Sequence, residues 1–493
     1  MKRWTILGLV LVACAPPATP RLQVQVPSAS PLVPSEPDIL GSAPVLSAAQ
    51  AFTPPTPTSS KLMNGSELRF LEVHRVPMVS VTLALQAGAW NDPRGKEGLS
   101  YFTAQMLDEG AGKYGGSALA AAFESLGTSL HIEVDVDAAY FSLTVLAENL
   151  APAVALLADV VERPRFAAPD FKRAHGLWLD ELRARADEAD SVARVVMRKV
   201  TLNGGRNAHP WSGTLAGAAK VTLPDVRRHY VEQYRSYNAH FAVAGDISSI
   251  ELTRILDASF GKWAHPSPTV GYGTGTGRGR PPRLVVVDRP GAPQAVVGFA
   301  RYGLSARDKD MPGVMRANIA LGGSFTSRLN LDLREKHGWS YGARSALSVS
   351  SSPGVMVAWA AVQTDATIDS SKALLADVTE FAQSGLNDEE VSKTLATMNA
   401  EFVRSYSTVD AMSARLAQHE ILGKPLDADA NLLHAATSLD RAALSALAKR
   451  YFATDEGTFV IVGPLEKFKA RLSELNLGEP ELRDAEGEVI TSK

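Results

Sequence analysis

A single cysteine, Cys14, stands in 493 residues, so no disulfide can close within the chain. Long apolar runs are also missing. The stretch 4–13 holds ten residues, well short of the roughly 20 that a membrane-spanning helix needs. Charge of one sign is equally scarce: 50 Lys and Arg face 53 Asp and Glu, for a formal net charge of -3 and a pI near 6.4. That balance implies no basic surface for nucleic acid. No two of the ten histidines lie three or four positions apart, so helical metal spacing is absent. No G-x-S-x-G occurs, although a serine triad assembled by the fold stays open. What is present is 45% hydrophobic residues, 21% charged residues and a mean hydropathy of -0.04, ordinary for a soluble globular protein with sizeable cores.

Lys2 and Arg3 precede the apolar run 4–13, which reads as a secretory signal. Leu11-Val12-Ala13-Cys14 resembles the bacterial lipobox, and Ala15 after the cysteine resembles outer-membrane sorting because no aspartate follows. Residues 1–14 are therefore expected to be a lipoprotein signal with Cys14 lipidated, facing the periplasm. Residues 15–60 hold 11 of the 29 prolines and predict a disordered tether between anchor and fold.

From residue 61 strands and longer helices alternate. Strands are predicted at 79–89 and as a pair within 131–145, and helices at 98–110, 118–126, 150–161 and 168–186. The uneven spacing argues against a doubly wound sheet and for an α+β architecture. Phe241-Ala-Val-Ala-Gly245 recurs as Phe459-Val-Ile-Val-Gly463, 218 residues later, and the strand at 79–89 has a mate at 295–304, 216 residues on. Near-constant offsets predict a duplication: an N-terminal domain at 61–265 and a C-terminal domain at 283–480, each an antiparallel-rich sheet with helices on one face. The glycine-rich 266–282 reads as a linker, since it lacks a phosphate-loop ending, and 481–493 as a tail. The helix at 388–406 reads as core packing.

The stretch GLSYFTAQMLDEG, 98–110, sets Leu99, Phe102, Met106 and Leu107 on one side of a helix. With the duplicated order of elements, it resembles the insulinase/pitrilysin metallopeptidase family in its processing-peptidase branch, over most of the chain after residue 60. In that family this helix carries H-x-x-E-H, two histidines holding zinc and a glutamate activating water. The resemblance puts Tyr101 and Gln105 at the histidine positions and Ala104 at the glutamate. A phenol and an amide are poor zinc ligands, and a methyl group takes no proton. The family's third ligand falls on Glu181, which by itself reads as a surface residue pairing with Arg185 one turn on. His175 shares that helix but, six positions away, does not share its face. Neither a metal nor a catalytic residue is thus expected in this chain.

In the second half, LGGSFTSRLNLDLREKHGWSYG (321–342) resembles the family region that contributes an arginine and a tyrosine seven residues apart, here Arg334 and Tyr341. The resemblance implies that both contact substrate backbone, and a guanidinium and a phenol can each donate to a peptide carbonyl. Gly322-Gly323-Ser324-Phe325 resembles a short form of the family's glycine-rich loop and reads equally as glycines ending a helix. The resemblance implies a subunit without cofactor that joins an H-x-x-E-H partner holding the zinc and handles peptide or unfolded protein, and the lipobox adds the expectation that it is lipid-anchored. The alternatives are a stand-alone peptide-binding or scaffold lipoprotein and, third, a metallopeptidase active by itself.

Overall fold

A computed structural model describes residues 52–263 and 281–490. Cys14, most of the expected tether and most of the linker at 266–282 lie outside them. The first half contributes strands β1 (Thr58–Lys61), β2 (Glu67–Glu72), β3 (Met78–Leu85), the short hairpin β4 (Gly110–Ala111) and β5 (Tyr114–Gly115), β6 (His131–Val134), β7 (Ala139–Leu146) and β8 (Ala239–Gly245). The second contributes β9 (Leu284–Asp288), β10 (Gln294–Tyr302), β11 (Ser340–Leu347), β12 (Val355–Gln363), β13 (Thr458–Gly463) and β14 (Glu481–Leu482).

Two six-stranded sheets result, ordered β1-β2-β8-β3-β7-β6 and β14-β9-β13-β10-β12-β11. Five strands correspond one to one between them, which is the duplication seen in the sequence. The sixth differs: β1 runs antiparallel to β2, whereas β14 runs parallel to β9. Pairs β2–β8 and β9–β13 are also parallel, and the others are antiparallel.

The expectation of helices on one face describes only half of each sheet. Phe241 and Val243 of β8 point into a core formed with the helices of their own half, while Ala242 and Ala244 point the other way. Against those alanines lies the helix Val409–Ile421, which comes from the second half. The second sheet reciprocates: Phe459 and Ile461 of β13 face their own helices, and Val460 and Val462 meet Val192, Val196 and Met197 of the first half's helix Ala189–Leu202. On the first sheet, alanines on the outer face let the visiting helix approach closely; on the second, valines meet the visiting helix. Double coverage also explains why β3 is buried along nearly its whole length, where a sheet with one wet face would alternate. Ser413 of the visiting helix completes the contact, bonding the hydroxyls of Ser80 and Thr82 at 2.9 Å each.

Two predicted boundaries move. The tether expected to reach residue 60 ends sooner, because β1 pairs with β2 and Phe52 packs its ring 5.6 Å from that of Tyr406. The tail expected from 481 is folded as far as the described chain runs: β14 extends the second sheet, and Lys199 donates to the Glu486 carbonyl at 2.9 Å and to Glu488 at 2.5 Å.

Candidate functional site

Helix α1 (Leu99–Asp108) carries the three positions that the resemblance singles out. Gly98 starts it with φ +98, and a Cβ there would sit 2.6 Å from both Gly213 and the Trp178 ring, so only glycine allows this approach. Buried Asp92 caps the helix, accepting from the Gly98 N–H at 2.6 Å and the Ser100 N–H at 2.7 Å, with His209 Nε2 3.0 Å away. The start of α1 is thereby fixed, and with it the direction of Tyr101.

Tyr101 is half-buried against Trp178, ring centroids 6.4 Å apart, and its hydroxyl donates to Glu181 Oε2 at 3.4 Å. Glu181 lies on the helix Ala168–Asp187, so the structure does bring the first and third positions together. The pairing of Glu181 with Arg185 does not form. Arg185 instead donates to Ser212 Oγ and the Gly213 carbonyl, both at 2.9 Å, because the loop at 212–213 offers it better acceptors. Gln105, one turn along α1, is half-buried, and Ala104 is wholly buried in the first core.

This set does not fit zinc. Burial, reinforced by the Glu181 carboxylate, pushes the Tyr101 phenol up to about 12, so the phenolate form that could ligate is scarce near neutral pH. The Gln105 amide is a weak ligand, and Ala104 supplies no base. Among the described residues no three His, Cys, Asp or Glu side chains converge as a metal cluster. His175 is committed to structure: its Nε2 lies 2.9 Å from the Ala218 carbonyl and its ring stacks on Phe171. A serine–histidine pair lies within hydrogen-bond reach, Ser100 Oγ and His229 Nε2 at 3.2 Å. Both are buried, no carboxylate orients His229 Nδ1, and burial holds that imidazole down at about 4, so the pair cannot act as a nucleophile and base on substrate.

The second half presents a different surface. Two π-helical segments, Ile319–Gly323 and Leu331–Lys336, interrupt the stretch 321–342. Such turns are uncommon and gather at functional sites. Gly322 closes the first against β11, where a Cβ would lie 2.3 Å from the Ser345 nitrogen, so these glycines end a helical segment. Asn330 pins the loop between them, donating to the Phe325 carbonyl at 2.6 Å and accepting from the Ala343 N–H at 3.1 Å. Arg328 is structural, forked onto Glu390 at 2.6 and 2.7 Å. Arg334 lies instead over the exposed Phe325 ring, 4.4 Å from its centroid, with Nε 3.4 Å from Glu335. Tyr341, at the start of β11, is 92% exposed and does not pack as a strand-start residue would. His337, with Nε2 3.6 Å from Asp332, stacks on Trp339, centroids 4.0 Å apart. Sequence reasoning missed Phe325 as the ring under Arg334, and the stacked His337 and Trp339 that lie between Arg334 and Tyr341 in the sequence. Their clustering around Gly338 within 17 residues was the available signal.

A cavity of about 960 Å³ holds neither group. It opens between the visiting helix Val409–Ile421 and strands β6 and β7, and its lining includes His131, Glu133, Asp135 and Asp410. Burial raises the Asp135 carboxyl to about 6. Strand β6 is the last in its sheet, and among the described residues no further strand pairs with its outer edge.

Residues 71–214 match the insulinase family, peptidase family M16, and residues 220–398 match the peptidase M16 inactive domain. A Bacillus subtilis protein named as an uncharacterized zinc protease, YmxG, is 21% identical over 79% of this chain and 94% of its own length. The fold is similar to the crystal structure of a peptidase M16 inactive domain from Pseudomonas fluorescens, with TM-score 0.76 and 22% identity over 83% of this chain and 98% of that one. It is also similar to a chain of complex III2 from Candida albicans, with TM-score 0.71 and 14% identity over 85% and 99% of the two chains. The matched segments and the duplicated sheets agree, and the chain belongs to peptidase family M16.

Proposed function

We propose that this chain is a zinc-free subunit of a two-chain peptidase, which joins a partner bearing H-x-x-E-H and presents Arg334 and Tyr341 to the substrate backbone in the partner's site. One observation carries the reading: where the family's zinc ligands fall, a tyrosine hydroxyl is spent on Glu181 and a buried alanine stands at the base. The exposed Tyr341 and the Arg334–Phe325 pair support the second half of it, since both present hydrogen-bond donors outward on a surface that needs neither for folding. The outer edge of β6 beside the large cavity suits an extended peptide added as a strand. The likeness to a chain within a multi-subunit complex supports assembly with a partner. Lipidation at Cys14 would hold the pair at the envelope, facing the periplasm.

The test is to purify the chain alone and with an H-x-x-E-H protein encoded beside it. Zinc and peptide hydrolysis should follow the partner, and turnover should fall when Arg334 and Tyr341 are replaced. Stoichiometric zinc and hydrolysis in the chain alone would overturn the reading. Turnover indifferent to both residues would favour the stand-alone peptide-binding protein.

A further inference from the structure

A second groove, about 360 Å³, lies between the helix Ala189–Leu202, strands β11 and β12, and the segment 210–212. Three arginines line it, Arg185, Arg194 and Arg198, and no carboxylate is among its lining residues. Its apolar walls are Trp211, Leu347, Val357 and Trp359. All three guanidinium groups have acidic neighbours outside the groove: Arg194 pairs with Asp190, Arg185 lies 3.8 Å from Glu486, and the charges of Asp137 and Asp135 reach Arg198. Arg198 forms no ion pair among the described residues. Its Nε donates to the Asn207 carbonyl at 2.7 Å, and its Nη2 is buried without an acceptor. A guanidinium nitrogen in that state still lacks a bond, so the Arg198 head group keeps unspent hydrogen-bonding capacity beside the groove. Trp211, at the rim, is 49% exposed, so its ring has room to turn aside.

We propose that this groove binds the C-terminal end of an apolar peptide, with the α-carboxylate against Arg198 and Arg194 and the last side chain against the tryptophan wall. A planar carboxylate matches the fork of a guanidinium, and such charge-assisted pairs are about twice as strong as neutral hydrogen bonds. A peptide fits better than an acyl chain, because Ser212, whose hydroxyl accepts from Arg185 and still has a proton to donate, and Ser348 interrupt the apolar lining with hydroxyls that peptide groups can use and a hydrocarbon cannot. The groove belongs to this chain alone and does not rest on the partnership proposed above.

The experiment is calorimetric titration of the full purified chain, without any peptidase, by three probes. They are an N-acetylated hexapeptide ending in phenylalanyl-leucine with a free carboxylate, the same peptide as its C-terminal amide, and sodium laurate. The acid should bind and the amide should bind at least about tenfold more weakly. Arg198→Gln should abolish the discrimination. Arg194→Gln and Trp211→Ala, both at exposed side chains and so compatible with folding, should each weaken the acid by about tenfold. Equal binding of acid and amide, laurate binding where the peptide does not, no binding of the acid at about 1 mM, or unchanged affinity in both exposed variants would each overturn the proposal.

Discussion

Replacing Tyr101 and Gln105 together by histidine should give this chain a zinc site it now lacks. The two positions are one turn apart on α1, and Tyr101 already reaches the Glu181 carboxylate, so the variant would present two imidazoles and a carboxylate on facing helices. The substitution itself is cheap. The hydroxyl bond at 3.4 Å is at the long limit and, with the tilted Trp178 contact at 6.4 Å, its loss costs about 1 to 2 kcal/mol. Zinc buffered at about one hundred times its Kd should return about 2.7 kcal/mol, by preferential binding to the folded state. Urea denaturation in chelator and in buffered zinc, with metal content by atomic emission, measures both terms. Because Ala104 stays, no general base is restored and no hydrolysis should appear. A wild-type chain stabilised by zinc as much as the variant would refute the donor argument. A variant with no zinc-dependent gain would refute the alignment of α1 with Glu181.

Three further outcomes follow from the same structure. Tyr341→Phe with Arg334→Ala should cut turnover of the two-chain assembly by about tenfold or more, while the stability of the isolated chain falls by about 1 kcal/mol at most, since an exposed cation–π contact and the surface ion pair with Glu335 are lost; steady-state kinetics beside urea melts would separate the two. Gly322→Ala should destabilise by about 1 to 3 kcal/mol, because its Cβ would meet the Ser345 nitrogen at 2.3 Å, and a denaturation midpoint unchanged from wild type would contradict the packing described. Asp377 has a buried, unpartnered Oδ2, and burial, with Asp332 and Glu380 nearby, raises its carboxyl from 3.8 to about 7. The folded state therefore holds a proton that the unfolded state has released between those values. Asp377 thus lowers stability as pH rises from about 4 through 7, so Asp377→Asn should flatten that part of a stability–pH profile and raise stability at pH 8.

Much of this architecture was legible because it is written twice. Phe241–Gly245 and Phe459–Gly463 could be matched by eye, and the paired strands fell at corresponding places in the two sheets. Tyr101 and Glu181 could be placed together because helical spacing and family register are local properties. The exchange of helices was not legible: 189–202 and 409–421 are ordinary amphipathic segments, and which sheet each covers depends on tertiary packing that periodicity does not encode. The alanines of β8 did carry a trace of it, since a face of small residues asks for a close neighbour. The Arg185 pairing was misjudged for a similar reason. An i+4 partner is visible in sequence, whereas the competing acceptors at 212–213 are supplied by the fold. The π turns around Arg334 leave no periodic signature at all.

The crossing of helices between halves has one more consequence. Each sheet keeps one face dry only while the other half is present, so neither half is a self-sufficient folding module despite its ancestry as a repeat. A fragment ending near residue 263 would carry the apolar stripe of Val192, Val196 and Met197 with nothing to cover it, and its sheet would lose the cover over Ala242 and Ala244. Two separately made pieces should be sticky alone and recombine when mixed, as clasped hands do.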